Sequence, residues 1–121
     1  MSVDRFAALG HVLVASPSEG QGPVDQALAR AGKSRRVVVS VPQFLVAASL
    51  VAETELVLTT GRRIAEKLAP ALGLETFAPP VSLKPFVVRM IWHPRTESDS
   101  VGQWLRAMLR AAVTRLPPVA G

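Results

Sequence analysis

Polar, aromatic and proline residues recur in this sequence where an apolar run ends and a helix-forming run begins. They are Ser16, then Pro42, Gln43 and Phe44, then Thr59 and Thr60. Hydroxyls, an amide, an aromatic ring and the N–H groups of helix N-termini form a set suited to binding a small molecule. In open α/β sheets, ligands bind beyond the carboxyl ends of the strands. The pattern favours a binding site, although ordinary turn residues explain each position taken alone.

Groups that support catalysis or metal binding are sparse. The sequence has no Cys, and His11 and His93 lack metal-binding spacing. Neither a GxSxG elbow nor a glycine-rich phosphate loop occurs, and Asp25 suits the first turn of a helix. We therefore expect no metal, no cofactor and no catalytic residue. The alternative, a small stand-alone α/β enzyme, needs a histidine within about 3 Å of a carboxylate in a pocket.

The composition predicts one globular domain with a basic surface. The 121 residues are 49% hydrophobic and 19% charged, which is enough to build a core. The formal charge of +5 comes from scattered Lys and Arg, and few aromatic rings are available for stacking on bases. No apolar run approaches the roughly 20 residues of a membrane span, and the N-terminus lacks a signal peptide. We expect a cytoplasmic chain with no membrane partner.

Short apolar runs rich in β-branched residues predict the strands that hold these positions. Runs 11–15, 37–41 and 56–59 read as three strands, with 37–41 buried and central. Phe86–Trp92 reads as a fourth strand, and 76–80 as a short edge segment. The predicted sheet therefore has about five strands.

Residues spaced three and four apart predict the intervening helices. One begins near Pro23 and ends before Gly32, one follows Pro42, and one begins at Gly61. The last helix begins with a capping box of Ser100 and Gln103. Alternating strands and helices predict a three-layer α/β fold, with a mostly parallel open sheet and helices on both faces.

Two long stretches resemble the C-terminal part of the effector-binding domain of LysR-type transcriptional regulators. The first runs from His11 to Ala69, HVLVASPSEGQGPVDQALARAGKSRRVVVSVPQFLVAASLVAETELVLTTGRRIAEKLA. The second runs from Phe77 to Arg110, FAPPVSLKPFVVRMIWHPRTESDSVGQWLRAMLR. The first stretch is similar to a family run that contains "VD..LA..G..R.V...VP.F". The second is similar to the family ending that contains "WH.R" and "WLR". Gly61 replaces the usual Pro, and Glu55 replaces the usual Asp.

The resemblance implies a ligand-sensing fragment of a regulator that controls transcription. The fold would be a Rossmann-like lobe of a type 2 periplasmic-binding-protein fold. Residues 1–95 would be lobe two, and residues 96–121 would be the C-terminal helix that packs on lobe one or on another copy. DNA binding would need an N-terminal domain that this chain lacks. The residues at the three strand ends would form the lobe-two side of the effector cleft, namely Ser16, Pro42, Gln43, Phe44, Thr59 and Thr60.

The last helix carries an apolar stripe that would lose its usual packing surface in such a fragment. The stripe comprises Val101, Trp104, Leu105 and Met108. We expect it to pair with another copy as a homodimer, to swap domains, or to fold back on its own sheet. Half a cleft should bind its effector weakly. A module that only dimerises is the remaining alternative.

Overall fold

Three parallel strands organise the N-terminal part of the chain in the computed structural model, which describes residues 1–15, 22–85 and 87–117. The strands are β1 (Gly10–Val14), β2 (Arg36–Val41) and β3 (Val57–Leu58), in the order β2-β1-β3. The expectation of a parallel sheet is confirmed. The described residues contain three strands rather than about five.

Five α-helices and two short 3-10 turns complete the described fold. The helices are α1 (Val3–Ala8), α2 (Pro23–Arg30), α3 (Phe44–Ala52), α4 (Arg62–Leu68) and α5 (Ser100–Thr114). The 3-10 turns span Pro70–Leu72 and Pro94–Thr96. The chain divides into two compact units, the N-terminal unit Met1–Lys84 and the C-terminal unit Pro85–Gly121.

The strand β1 lies at the centre of the sheet, where we expected β2. It pairs with β2 on one side and with β3 on the other, so β2 is an edge strand of the described sheet. Val37 and Val38 of β2 are consequently 39% and 47% exposed rather than buried. At the start of β1, a Cβ on Gly10 would lie 2.7 Å from Leu56 Cδ2 and 3.0 Å from Val38 Cγ2, so these side chains would have to shift to admit a larger residue.

The connections place helices on opposite faces of this sheet. The β1–α2–β2 and β2–α3–β3 crossovers run in opposite directions across the strands, so the right-handed rule puts α2 and α3 on different faces. The buried core cluster joins α1 to α2 through Phe6, Val24 and Leu28. On α3, Ala47 and Ala48 are buried, while its outer residues, such as Leu45, stay exposed.

The predicted signals at the two ends of α2 are confirmed. Pro23 occupies the first turn, where its missing N–H costs no hydrogen bond. Gly32 follows the helix with a φ of 67°, and the Lys33 N–H donates to the Leu28 carbonyl at 2.9 Å. This is the Schellman arrangement, which satisfies carbonyls at a helix end and favours glycine.

The strand predicted at Phe86–Trp92 is wrong for its described part, residues 87–92. These residues pair with no strand in the part of the chain that the structure describes, and Val88 and Ile91 are 84% and 89% exposed. A β-branched run becomes a strand only where a partner takes its N–H and C=O groups. The edge segment predicted at 76–80 is not a strand either, and Pro79 and Pro80 lack the N–H that a ladder needs.

Two features of the helices differ from the sequence analysis. The helix α1 was not predicted; it begins at Ser2, whose hydroxyl accepts from the Arg5 N–H at 3.2 Å. The helix α5 begins where predicted, but Asp99 caps it by accepting from the Gly102 N–H. Aspartate and serine are both good N-cap residues, so the sequence alone did not distinguish Asp99 from Ser100, and the capping-box pattern favoured Ser100.

Candidate functional site

The carboxyl ends of the three strands lie at one edge of the sheet. Val14 of β1 is level with Val41 of β2, and the Ala15 N–H donates to the Val41 carbonyl at 3.3 Å. On the other side, Val12 of β1 is level with Leu58 of β3. The residues that follow β2 and β3 are therefore at the same edge, as parallel pairing requires. They are Pro42, Gln43 and Phe44, then Thr59 and Thr60. Ser16 lies outside the described residues.

Only two residues, Pro42 and Gln43, separate the end of β2 from the start of α3. Gln43 is the N-cap, with φ −119° and ψ 133°, and its carbonyl accepts the Ala47 N–H at 3.1 Å. Its side chain does not cap the helix, and the first turn carries no acidic residue. Phe44 is 42% exposed. The positive end of the α3 dipole, an amide and a ring thus share one exposed site.

The end of β3 differs from the exposed end of β2, because the hydroxyl of Thr60 is buried. Its Oγ1 is buried and has no hydrogen-bond partner in the described part of the chain. Thr60 also lines two adjoining cavities of about 100 Å³ each. Thr59 is half-buried and lines the second of them. Of the sequence-predicted residues, those after β2 are exposed and those after β3 border cavities.

His11 is a structural residue at the start of β1. It is fully buried, its Nε2–H donates to the Phe6 carbonyl at 2.9 Å, and the two rings meet edge to face at 4.9 Å. Its Nδ1 has no partner among the described residues. Burial lowers the pKa of His11 below 6.5, and the nearby Arg35 charge adds to this. The ring is therefore neutral at pH 7 and joins α1 to the sheet.

An ion pair that the sequence analysis missed lies next to this histidine. Arg35 Nε and Nη2 lie 2.8 and 3.0 Å from the two Asp25 carboxylate oxygens, and the Arg35 side chain is only 2% exposed. The Arg35 guanidinium holds the pKa of Asp25 below its usual value, and the Gly22 N–H contributes. Asp25 thus anchors α2 to the start of β2. Its position in the first turn was correct, but nothing in the ten-residue spacing indicated its partner.

The arrangement offers little chemistry beyond binding. The His93 Nδ1 accepts from the Arg95 N–H at 3.1 Å and His11 donates to the Phe6 carbonyl, so within the described residues the histidine bonds seen are to backbone groups rather than to a carboxylate. In residues 1–15, 22–85 and 87–117, no three His, Asp or Glu side chains gather as metal ligands. Each helix of the described chain is too short or too polar to cross a bilayer.

In the C-terminal unit, the predicted stripe on α5 is exposed. The exposed fractions are 69% for Val101, 63% for Trp104, 50% for Leu105 and 52% for Met108. The buried residue on this helix is instead Arg106, which donates to the Thr96 and Glu97 carbonyls. Its guanidinium lies 4.8 Å from the centre of the Trp92 ring.

Curated proteins similar to this chain are regulators of transcription. SyrM of Rhizobium meliloti (strain 1021) is 39% identical over 114 residues, which are 93% of this chain and 35% of SyrM. SyrM 2 of Sinorhizobium fredii is 45% identical over 112 residues, or 92% of this chain and 32% of the relative. The activator NahR of Pseudomonas putida is 30% identical over 109 residues, or 90% and 36%. The chain spans about a third of the length of these relatives.

Solved structures agree with these relatives, whereas no family model matches the chain. The regulatory domain of MexT, a transcriptional activator in Pseudomonas aeruginosa, is 29% identical with a TM-score of 0.73, over 92% of this chain and 56% of that one. A probable transcriptional regulator from the same organism is 34% identical with a TM-score of 0.63, over 69% and 28%. These relatives are regulators, not enzymes. The chain therefore belongs to the LysR-type transcriptional regulators, and it matches part of their regulatory domain.

Proposed function

We propose that this chain is the ligand-sensing part of a regulator, and that a small-molecule effector binds at the carboxyl edge of its sheet. The observation that carries the proposal is the junction of β2 and α3. There, the Gln43 side chain leaves the helix N-terminus uncapped, and Phe44 is exposed beside it. Relatives named as regulators and an activator support a sensing role for the same stretch of sequence.

The chemistry of this edge suits a polar or anionic effector. The N–H groups in the first turn of α3 and the Gln43 amide are hydrogen-bond donors, and the helix dipole favours negative charge. The Phe44 ring offers a flat apolar surface next to them. Thr59, and Ser16, which follows β1 in the sequence, complete the proposed set with hydroxyl groups, whereas Thr60, whose hydroxyl is buried, contributes mainly to the wall behind them.

The proposed site is half of an effector cleft. Residues 1–95 would be lobe two of the regulatory domain, a Rossmann-like lobe of the periplasmic-binding-protein type, and residues 96–121 would be its C-terminal helix. The other side of the cleft and the DNA-binding domain would belong to a longer cytoplasmic protein. Because one lobe leaves the ligand open to water, we expect binding by this chain to be weak, with a Kd of about 1 mM or above.

Binding of organic anions to matched variants tests the effector site. Benzoate and succinate are titrated into the isotope-labelled chain, and amide shifts are followed by NMR. We expect the largest shifts at residues 43–46, and about a fivefold weaker affinity in Gln43→Ala. Gln103→Ala, an equal truncation in the C-terminal unit, should bind like wild type. Equal weakening in both variants, or shifts that avoid α3, would contradict the proposal.

The exposed stripe on α5 is the proposed contact with a second copy of the chain. Four large apolar side chains at least half exposed on one helix face form a surface that soluble monomers rarely leave open. Pairing of two copies would bury them in a symmetric interface. The support is the exposure of Val101, Trp104, Leu105 and Met108 together with the family's expected dimers.

Light scattering and sedimentation test this contact. The wild-type chain should self-associate, and Leu105→Glu should shift it to monomer, because a charge cannot be buried there without a partner. The control is Leu45→Glu on the exposed side of α3, where Leu45 is 60% exposed. A monomeric wild type, or dissociation by both substitutions alike, would rule out the α5 contact.

A further inference from the structure

The outer side of β3 borders a crevice that the strand-end site does not use. β3 lies at the edge of the sheet, and the segment from Leu74 to Phe77 runs past it without pairing as a strand in the described structure. Between them lie the two cavities of about 100 Å³ each. Both belong wholly to the N-terminal unit.

The walls of this crevice are mainly apolar and come from three elements. Val51 of α3, Leu58 of β3 and Ala65 of α4 face the first cavity, and Leu58 and Ala65 also face the second. Phe77 lines both cavities and is 50% exposed. Because the Phe77 ring borders both cavities and is half exposed, its outward rotation would join them.

One polar atom in these walls lacks a partner. The Thr60 Oγ1 is buried, and no donor or acceptor of the described chain reaches it. A buried hydroxyl without a hydrogen bond destabilises a fold, so native structures rarely retain one unless a ligand or water satisfies it. Thr60 and Thr76 both border the two cavities, but Thr76 is exposed, so Thr60 carries the buried, unpartnered hydroxyl that a molecule filling them would meet.

We propose that the β3 crevice is a second small-molecule site, which takes a neutral ring-sized compound bearing one hydrogen-bonding group. Each cavity is about 100 Å³, whereas a dry apolar cavity of about 150 Å³ holds benzene, so a single ring needs space from both cavities. The ring fills the apolar space between α3 and α4, and its polar group bonds to the Thr60 hydroxyl once Phe77 moves. Glu75 lines both cavities and disfavours anions, which separates this ligand class from the one proposed at Gln43.

This proposal does not depend on the proposed effector site. It does, however, assign Thr60 to the crevice rather than to the effector-binding residues predicted from the sequence. Phenol and toluene are the probes, because they share a ring and differ in the hydroxyl. Each is titrated into the labelled chain and followed by NMR. We expect saturable shifts at residues 57–60, 65 and 74–77 with both probes, and tighter binding of phenol.

Three variants separate the contributions. Thr60→Val keeps the shape and removes the hydroxyl, so phenol should bind about fivefold more weakly while toluene is unaffected. Thr60→Val without ligand should be at least as stable as wild type, because an unpaired buried group is removed. Ala65→Leu fills the crevice and should abolish binding of both probes. Gln43→Ala should change neither, which keeps this site distinct from the effector site.

The inference fails if the wild-type chain shows no saturable shift at these residues, or if Thr60→Val weakens toluene as much as phenol. It also fails if Ala65→Leu, shown to be folded by its NMR spectrum, still binds both probes. Loss of benzoate binding in Gln43→Ala with unchanged phenol binding supports both sites. Phenol binding as expected, with no binding of benzoate to the wild-type chain, would support the crevice site and contradict the effector site.

Discussion

The N-terminal and C-terminal units are built in different ways. In the N-terminal unit, Phe6, Leu28, His11 and Val12 have less than 2% of their surface exposed and hold α1 and α2 to the sheet. In the described part of the C-terminal unit, the only buried residue is Arg106, and its apolar side chains are mostly exposed. One unit carries its own core, and the other carries apolar surface without a core.

Polar contacts take the place of a core in the C-terminal unit. The Arg106 guanidinium donates to the Glu97 carbonyl at 2.9 Å and stacks on Trp92, whose indole N–H donates to the Glu97 carboxylate. Asp99 caps α5. These contacts determine where the helix starts, but polar contacts of this kind each stabilise a fold only modestly. The apolar face of α5 therefore stays exposed in this unit.

The largest difference between the units should appear on truncating a leucine in each. Leu28→Ala empties a fully buried position and should lower the free energy of unfolding by about 2 to 5 kcal/mol. Leu105→Ala, at a position 50% exposed, should change it by less than about 1 kcal/mol under monomeric conditions. Urea denaturation followed by circular dichroism measures both. Similar losses would mean that the C-terminal unit has a core of its own.

Breaking the ion pair of the N-terminal unit should have the next largest effect. Asp25→Asn leaves the Arg35 charge buried with a weaker partner, and should destabilise the unit by roughly 2 to 4 kcal/mol. The pKa of Asp25 is lowered in the fold, so its stabilisation is present above the unfolded pKa and is lost as the pH falls below it. Urea denaturation of both proteins at pH 7 and pH 3 should show the difference shrinking in acid. A constant difference would exclude this linkage.

Removing the buried arginine of the C-terminal unit should have a smaller and local effect. Arg106→Met loses the bonds to Thr96 and Glu97 while keeping the aliphatic stem. We expect amide hydrogen exchange in α5 to accelerate about tenfold, which corresponds to ~1.4 kcal/mol, with no change in α2. Arg110→Met is the comparison, because exposed Arg110 makes only the more distant contact with the Trp92 ring, at 5.9 Å, and should have a smaller effect. Faster exchange in α2 would show that the Arg106 contacts stabilise the whole chain.

The smallest expected effect is the pH dependence that comes from His11. Its pKa is lowered in the fold, so the unfolded chain binds more protons as the pH drops below 6.5. Stability should be full above pH 6.5 and should decline below it, towards the folded pKa. Thermal unfolding between pH 7.5 and 5 measures the slope, and His11→Gln should flatten it. An equally steep slope in that variant would assign the effect to other groups.

Local signals in the sequence were enough for much of the fold. Pro23 and Gly32 bracket α2 because their backbone preferences act within one turn of the chain. The strand–helix alternation indicated a parallel sheet, which in turn placed the ends of β2 and β3 at one edge. The effector residues proposed there stay predictions, and the helix α1 went unpredicted because six residues carry too weak a pattern.

What the sequence could not supply was pairing across distance. Residues 87–92 have strand propensity, but no strand forms there in the described structure because no partner is beside them. The Asp25–Arg35 pair joins residues ten positions apart in different elements, and no spacing rule links them. The orphan Thr60 hydroxyl is likewise invisible until the neighbours that fail to reach it are known.

The sequence by itself therefore determined the family, the alternation of strands and helices from β1 to α4, and the two ends of α2, since these depend on residue identity and short spacing. Only the tertiary structure decided that β1 is central, that His11 is buried against Phe6, and that a crevice lies beside β3. The physical reason is that burial, pairing and cavities are properties of surfaces in contact. Those surfaces exist only after distant segments have packed.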